Sequence, residues 1–170
     1  MNRRLILMRH AKSSWADGSL RDVERPLNPR GIRDAPRMAH LLEDIGWAPG
    51  RVVSSSAVRT RETWLGMAGV LDVVPPVTFT DDLYHAGLAA IIAHAQGWPD
   101  DAGPVLLLGH NPGWEHAAST LCGEALHLTT ANVVLLEGRG TSWVAALRQP
   151  WKLHQLYRPK ALPPRSVTGP

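Results

Sequence analysis

Leu5-Ile6-Leu7-Met8-Arg9-His10 is a short apolar run ending in a basic pair, and with Arg3 at its start it reads as a buried strand. Val105-Leu106-Leu107-Leu108 repeats the pattern far along the chain and runs into Gly109-His110-Asn111-Pro112-Gly113, where Pro112 opens a helix to about Leu121. Between them lie a strand from Arg51 to Ser54 and a shorter one, Val77 to Phe79, after the Pro75-Pro76 break. Helical patterns separate these strands. Asn28-Pro29 is an N-cap followed by proline at the first helical position, with Ile32, Ala35, Met38, Ala39, Leu42 and Ile45 on one face and Gly46 at the exit. Pro36 falls inside this stretch, against a straight helix. Ser55 or Ser56 caps a second helix to about Leu71, with Val58, Leu65 and Ala68 on one face, and Leu88, Ile91, Ile92 and Ala95 mark a third. Strands alternating with helices predict an α/β fold with a mostly parallel central sheet flanked by helices.

The rest of the chain completes this frame. Val133–Glu137 and Ser142–Arg148 flank a turn at Gly138–Thr141 and read as an antiparallel C-terminal hairpin, with Trp151–Tyr157 as a further edge strand. Residues 1–157 form a single domain. Residues 158–170 contain four prolines and read as a mobile tail. At 170 residues, 44 % of them hydrophobic and 19 % charged, one globular domain is the expectation. No apolar run is long enough to span a membrane, and Leu5–Met8 is too short for a signal peptide. One cysteine, Cys122, rules out an internal disulfide and fits a reducing, cytoplasmic setting. A net charge of +3 does not call for nucleic acid or a membrane surface as partner. The charge is uneven, however. Residues 1–61 carry a net +6 and the remainder a net −3, so the N-terminal third can steer an anionic substrate.

Ligands of parallel sheets bind beyond the carboxyl ends of the strands. There the first strand delivers Arg9 and His10, the second leads through Ser54-Ser55-Ser56 into a helix bearing Arg59, and the fourth delivers His110 and Asn111. Two arginines, two histidines and two helix starts at one edge suit a phosphate, because guanidinium forks and helix N-termini both hold phosphate oxygens. A neutral imidazole in such a cradle attacks phosphorus and becomes a phosphohistidine that water then hydrolyses. His10 is the expected nucleophile. Arg9, Arg59, His110 and Asn111 are the expected phosphate binders, and His110, if protonated, is an electrostatic partner.

Other phosphatase chemistries lack their residues. Cys122 is followed by no arginine until Arg139, so a thiolate loop is excluded, and Cys122 reads as a small buried apolar residue. Neither Asp-x-Asp nor Gly-Lys-Ser/Thr occurs. His110 and His116 are too far apart to share a helical face as metal ligands, so no metal and no cofactor are expected. Trp15 and Trp114 lie close to the motifs and are candidates to wall the pocket.

The stretch Leu7-Met8-Arg9-His10-Ala11-Lys12-Ser13-Ser14-Trp15 resembles the opening motif of the histidine phosphatase superfamily, in the branch of the small SixA-type phosphohistidine phosphatases. Arg25-Pro26-Leu27-Asn28, Arg30-Gly31, Asp34-Ala35-Pro36, Ser54-Ser55, Arg59-Thr60-Arg61-Glu62-Thr63, Leu83-Tyr84 and Gly109-His110-Asn111-Pro112-Gly113 continue the likeness in order. It implies a three-layer, phosphoglycerate-mutase-like sandwich and a metal-independent phosphate pocket of Arg9, His10, Arg59 and His110, with His10 phosphorylated. The chain departs from the family pattern in three places. Ser56 replaces a proline, Ala16 stands where relatives carry Asn or Asp, and no glutamate proton donor follows the third strand, leaving Asp82 or His85 for that role. The chain is also short for the insertions that roof the site in larger relatives. The expected substrate is therefore phosphohistidine on a protein. The alternatives are a phosphomonoesterase for a small phosphorylated metabolite and a non-catalytic module that binds phosphate or a phosphoprotein.

Overall fold

A computed structural model describes residues 1–164. Six strands form one sheet: β1 (Asn2–Arg9), β2 (Arg51–Ser55), β3 (Val77–Thr80), β4 (Val105–Gly109), β5 (Val133–Arg139) and β6 (Lys152–Tyr157), in the order β3-β2-β4-β1-β5-β6. β3, β2, β4 and β1 pair in parallel, and β5 runs antiparallel to both β1 and β6.

Period-two alternation sorts the strand side chains into two cores. Leu5, Leu7, Val105, Leu107, Val134 and Leu136 point to one face, where α3 (Leu88–Ala95), α4 (Gly113–Cys122) and α5 (Trp143–Leu147) cover them. Ile6, Met8, Leu106, Leu108, Val133 and Leu135 point to the other, beneath α1 (Pro29–Asp44) and α2 (Val58–Ala68). The result is the expected three-layer sandwich. Both faces of β1 and β4 are buried, which explains why these strands read as unbroken apolar runs.

Local chemistry sets the helix boundaries. Asn28 caps α1 by accepting from the Gly31 N–H at 3.0 Å. Pro36 lies inside α1 without ending it. It leaves the Ile32 carbonyl one turn earlier without an intrahelical donor, and Ile32 is exposed rather than on the inner face as expected, so water can serve that carbonyl. α2 also presents another face than the periodicity suggested. Arg59, Thr60, Thr63, Trp64 and Met67 are buried, while Leu65 is 64 % exposed. Packing of Trp64 and Met67 under α1 outweighs the smaller apolar residues.

The C-terminal region corrects one expectation. Ser142–Arg148 is not the second hairpin strand. Ser142 accepts from the Ala145 N–H and caps α5, whose Trp143, Ala146 and Leu147 are buried at helical spacing. The antiparallel partner of β5 is instead Lys152–Tyr157. The first part of the proposed tail docks, with Pro159 buried and the Leu162 carbonyl accepting from Arg37, and residues 165–170 lie outside the described residues. Cys122 is half-buried rather than buried. No described helix is long and apolar enough to cross a membrane.

The junction between β4 and α4 is closely packed. A Cβ on Gly109 would sit 2.4 Å from the indole of Trp114, whose own N–H reaches the Leu107 carbonyl at 3.1 Å. Gly109→Ala should therefore force the indole aside and destabilise the protein by about 1–3 kcal/mol. Urea denaturation checks this, and an unchanged midpoint would contradict the packing.

Candidate active site

Parallel pairing aligns the strand ends: Arg9 lies opposite Gly109, Ser54 opposite Leu108 and Ser55 opposite Thr80. His10 follows directly, its N–H bonded to the Gly109 carbonyl at 3.1 Å. Its carbonyl and that of Arg9 both accept from Ala131 N–H. Ala11 N–H donates to Thr63 Oγ1 on α2, and the Lys12 carbonyl accepts from Asn28 at the start of α1. Both helices and the 129–132 segment thus grip the backbone on either side of His10.

The His10 ring is 6 % exposed as a residue, and its Nδ1 lies 2.7 Å from the Ala11 carbonyl. A carbonyl only accepts, so Nδ1 carries the hydrogen and Nε2 keeps its lone pair. Arg59 Nε donates toward that lone pair at 3.3 Å. His110 stands beside it, with ring centroids 5.3 Å apart, and bonds Ser55 Oγ through Nε2 at 2.8 Å. Arg9 donates to the Leu128 carbonyl at 3.0 Å, as does the Asn111 amide at 2.8 Å. The structure therefore brings His10, Arg59 and His110 into one cluster, with Arg9 at the end of the same strand and Asn111 sharing its carbonyl partner.

The two proton-donor candidates separate. Asp82 is highly exposed and pairs with His94 at 3.2 Å. His85 lies with its ring 6.2 Å from His110 and 4.0 Å from Tyr84, on a backbone of φ +52°. That left-handed conformation is uncommon for residues other than glycine, although histidine adopts it more readily than most. Close packing just beyond it fixes the loop, since a Cβ on Gly113 would collide with the Ala86 carbonyl. Ser56, in place of the family's proline, also holds its turn: its Oγ bonds Asp81 and its N–H bonds the Thr80 carbonyl.

Three members of the site escaped the sequence reading. Asp22, in a 3-10 turn of the long loop after β1, accepts from Arg59 at 3.0 Å and from the Tyr84 hydroxyl at 2.5 Å, and its backbone carbonyl accepts from Arg59 at 2.6 Å. Arg25 is buried, ion-paired with Asp22 at 3.2 Å, and lies 3.4 Å from the ring centroid of exposed Trp15. Tyr84 meets His110 edge-on at 5.3 Å. Arg25 and Tyr84 stood within recognisable motifs, whereas Asp22 had no spacing signal at all. Trp15 is exposed and lies against the Arg25 guanidinium, whereas Trp114 belongs to the core.

The electrostatics are those of an anion site. Burial first, then Arg59, Arg9 and Arg25, lower His10 to about pKa 3. Burial, His10 and Arg59 do the same to His110, also to about 3. Both imidazoles are neutral at pH 7, so the protonation on which a cationic role for His110 depends is not met in this arrangement. Asp22 is lowered to about 2, first by the Tyr84 hydroxyl and then by Arg59, and stays ionised. Arg9 Nε, Arg25 Nη1 and His110 Nδ1 are buried without a hydrogen-bond partner in the protein, while Arg25 Nε faces Asp22. Such a concentration of unpaired nitrogens fits oxyanion ligands. Among the described residues, no group of three or more His, Cys, Asp or Glu is arranged to hold a metal.

Comparison with known proteins agrees with this chemistry. The family model of the histidine phosphatase superfamily (branch 1) matches residues 5–89. A chloroplastic protein of Arabidopsis thaliana, itself uncharacterized, is 41 % identical over 94 % of this chain and 79 % of its own length. A protein of Nakamurella multipartitia provisionally named phosphohistidine phosphatase SixA superposes with a TM-score of 0.82 at 30 % identity, covering 95 % of this chain and 98 % of that one. A similarly named protein of Agrobacterium tumefaciens gives 0.76 at 26 % identity, over 92 % and 97 %.

Neutral buried imidazoles make stability depend on pH. Unfolded histidines take up protons near 6.5, but these two do so only near 3 when folded. The unfolded chain binds more protons throughout that window, so stability falls as pH drops from 6.5 towards 3. Asp22 acts in the same direction below about 4. Urea midpoints at pH 7 and pH 4.5 should fall more in the wild type than in His10→Gln, and equal falls would contradict a buried neutral His10.

Proposed function

The chain belongs to the histidine phosphatase superfamily and is a phosphatase, and we propose that it acts through a phosphorylated His10 on phosphohistidine carried by a protein. The observation that carries the mechanism is the tautomer of His10. With Nδ1 held by the Ala11 carbonyl, the free lone pair is on Nε2, facing Arg59. No deprotonation is needed before attack, because the ring is already neutral. The Nε2 lone pair forms a bond to phosphorus, and the bond from phosphorus to the substrate nitrogen breaks. The departing imidazole keeps that electron pair and takes a proton. Water then attacks the phosphorus on His10, and Nε2 leaves with its lone pair restored. Arg59 exchanges Nε2 for a phosphoryl oxygen as substrate binds. Arg9, Arg59 and His110 gather the equatorial oxygens, and Arg25 adds a further guanidinium, whereas Asn111 spends its amide hydrogens on the Leu128 carbonyl and Glu115. Fixed donors of this kind stabilise charge without reorganisation during the reaction.

Support for a protein substrate comes from the rim and from the leaving group. Trp15 and His85 are 72 % and 61 % exposed beside the buried pair of histidines, so a phosphorylated side chain can reach in from a larger surface. Phosphohistidine also asks little of a proton donor, because imidazole is far less basic than an alkoxide. The SixA name of the two structural relatives fits the same substrate. We assign any proton donation to His85. Asp82 is turned to His94, and Asp22, ionised and bonded to Arg59 and Tyr84, has no proton to give.

Acid-labile phosphate on His10 in protein quenched during turnover is the direct test, run in excess EDTA because guanidinium groups neutralise the phosphoryl charge that a metal would otherwise neutralise. Arg59→Ala should lower the rate on the order of 10²-fold. Arg61→Ala should change it little, since Arg61 is exposed, bonds the Ser56 carbonyl and stacks on Phe79. Equal losses, or label on another residue, would sink the assignment.

Substrate class is decided by kcat/KM on a phosphohistidine protein against serine phosphate and 3-phosphoglycerate. The protein substrate should be faster. His85→Gln should slow ester hydrolysis more than phosphohistidine hydrolysis, and Asp82→Asn should affect neither. Higher efficiency on a small ester would support a metabolite phosphatase instead. Phosphate binding with no turnover of either would support a binding module.

A further inference from the structure

We infer that Ser55 fixes the proton of His110 on Nδ1, so that a neutral imidazole donates from that atom to the phosphoryl group. Ser55 ends β2 and is wholly buried. Among the described residues, its hydroxyl has two partners: Ala57 N–H at 3.3 Å and His110 Nε2 at 2.8 Å. The amide only donates, so it takes a lone pair of Oγ. The hydroxyl hydrogen must then find an acceptor where water cannot reach, and Nε2 is the one at hand.

Counting the alternatives settles the direction. If Ser55 donates to Nε2, the hydroxyl is fully used, and a single group, Nδ1–H, remains without a partner in the protein. If Nε2 donates to Ser55 instead, two groups are stranded: the buried hydroxyl hydrogen and the Nδ1 lone pair. Buried polar groups without partners are costly, so the arrangement with one orphan prevails. The remaining orphan is a hydrogen-bond donor on a ring centred 5.3 Å from that of His10, which is what a phosphoryl oxygen on His10 requires.

The other groups facing His110 favour a neutral ring. Arg59 comes from α2 and His10 from the end of β1, while Tyr84 and His85 come from the loop before α3. Asp22 alone is an anion, and it is engaged by Arg59 and Arg25. Ser55 is thus a positioning residue acting through His110. It lets His110 contribute a directed hydrogen bond without adding a fourth positive charge to a site that already holds three guanidiniums. The phosphoryl contact rests on the proposed function, but the tautomer does not.

Long-range proton–nitrogen spectra of the 15N-histidine-labelled protein at neutral pH report the tautomer directly, with His110 assigned by His110→Gln. The expected wild-type result is a protonated Nδ1 and an unprotonated Nε2. In Ser55→Ala, His110 should shift towards the Nε2–H form, and kcat should fall about tenfold with KM little changed. A proton on Nε2 in the wild type, or a Ser55→Ala spectrum identical to it, overturns the inference. The wild-type spectrum decides even if the variant does not fold. A wild-type protein inactive on every phosphorylated substrate would count against the proposed function while the tautomer is still read from the same spectrum.

Discussion

The register between β1 and β4, with Arg9 opposite Gly109, is the constraint on which the site depends. It places His10 and His110 one residue beyond the ends of adjacent parallel strands, and from there the side chains have little choice of partner. A shift of one residue in either strand would turn the apolar side chains of that strand to the wrong core. The alternating burial of Leu5, Ile6, Leu7 and Met8 against two different helical layers therefore fixes the distance between the two imidazoles. Core packing and site geometry are the same fact read at two ends of a strand.

Gathering Arg9, Arg25 and Arg59 around two buried histidines has an electrostatic consequence. Desolvation and the guanidinium charges act together on the imidazoles, and both are held neutral. The guanidiniums in turn need compensation when no anion is bound. Asp22 supplies it, pairing with Arg59 and Arg25 and held in place by the Tyr84 hydroxyl. A phosphoryl group offers the same kind of oxygen to the same arginines. The loop carrying Asp22 therefore supports the cradle and competes for part of it, which makes the position of that loop as consequential as that of any strand.

The sequence was informative wherever periodicity and local chemistry agreed. The strands holding His10 and His110, the Asn28 cap of α1 and the α/β alternation could all be read from residue order. Three kinds of feature could not. Ser142–Arg148 alternates weakly enough to pass for a strand, and only the Ser142 cap together with burial of Trp143, Ala146 and Leu147 makes it α5. The buried face of α2 depends on Trp64 and Met67 finding room under α1, which no local pattern encodes. Asp22 lies in a loop without regular spacing, and its contacts with Arg59 and Tyr84 join segments far apart in the chain. Asp82 illustrates the converse. It sits where a donor was sought, yet the turn carries its carboxylate to His94.

A low basicity at His10 bears on both halves of the proposed cycle. A histidine with a pKa near 6.5 would lose part of its nucleophile to protonation under mildly acidic conditions, whereas at about 3 the Nε2 lone pair stays available there. Weak basicity lowers intrinsic nucleophilicity, but it also makes the nitrogen a better leaving group when water attacks the phosphoenzyme. The surrounding guanidiniums then do for the phosphoryl group what a more basic nucleophile would otherwise have to do, by stabilising the charge it carries through both transfers. Burial is what makes this arrangement possible. An exposed His10 would keep its ordinary basicity, and an exposed Arg59 would share its hydrogen bonds with water. The two helices and the 129–132 segment that grip the backbone around His10 therefore set its chemistry as well as its position.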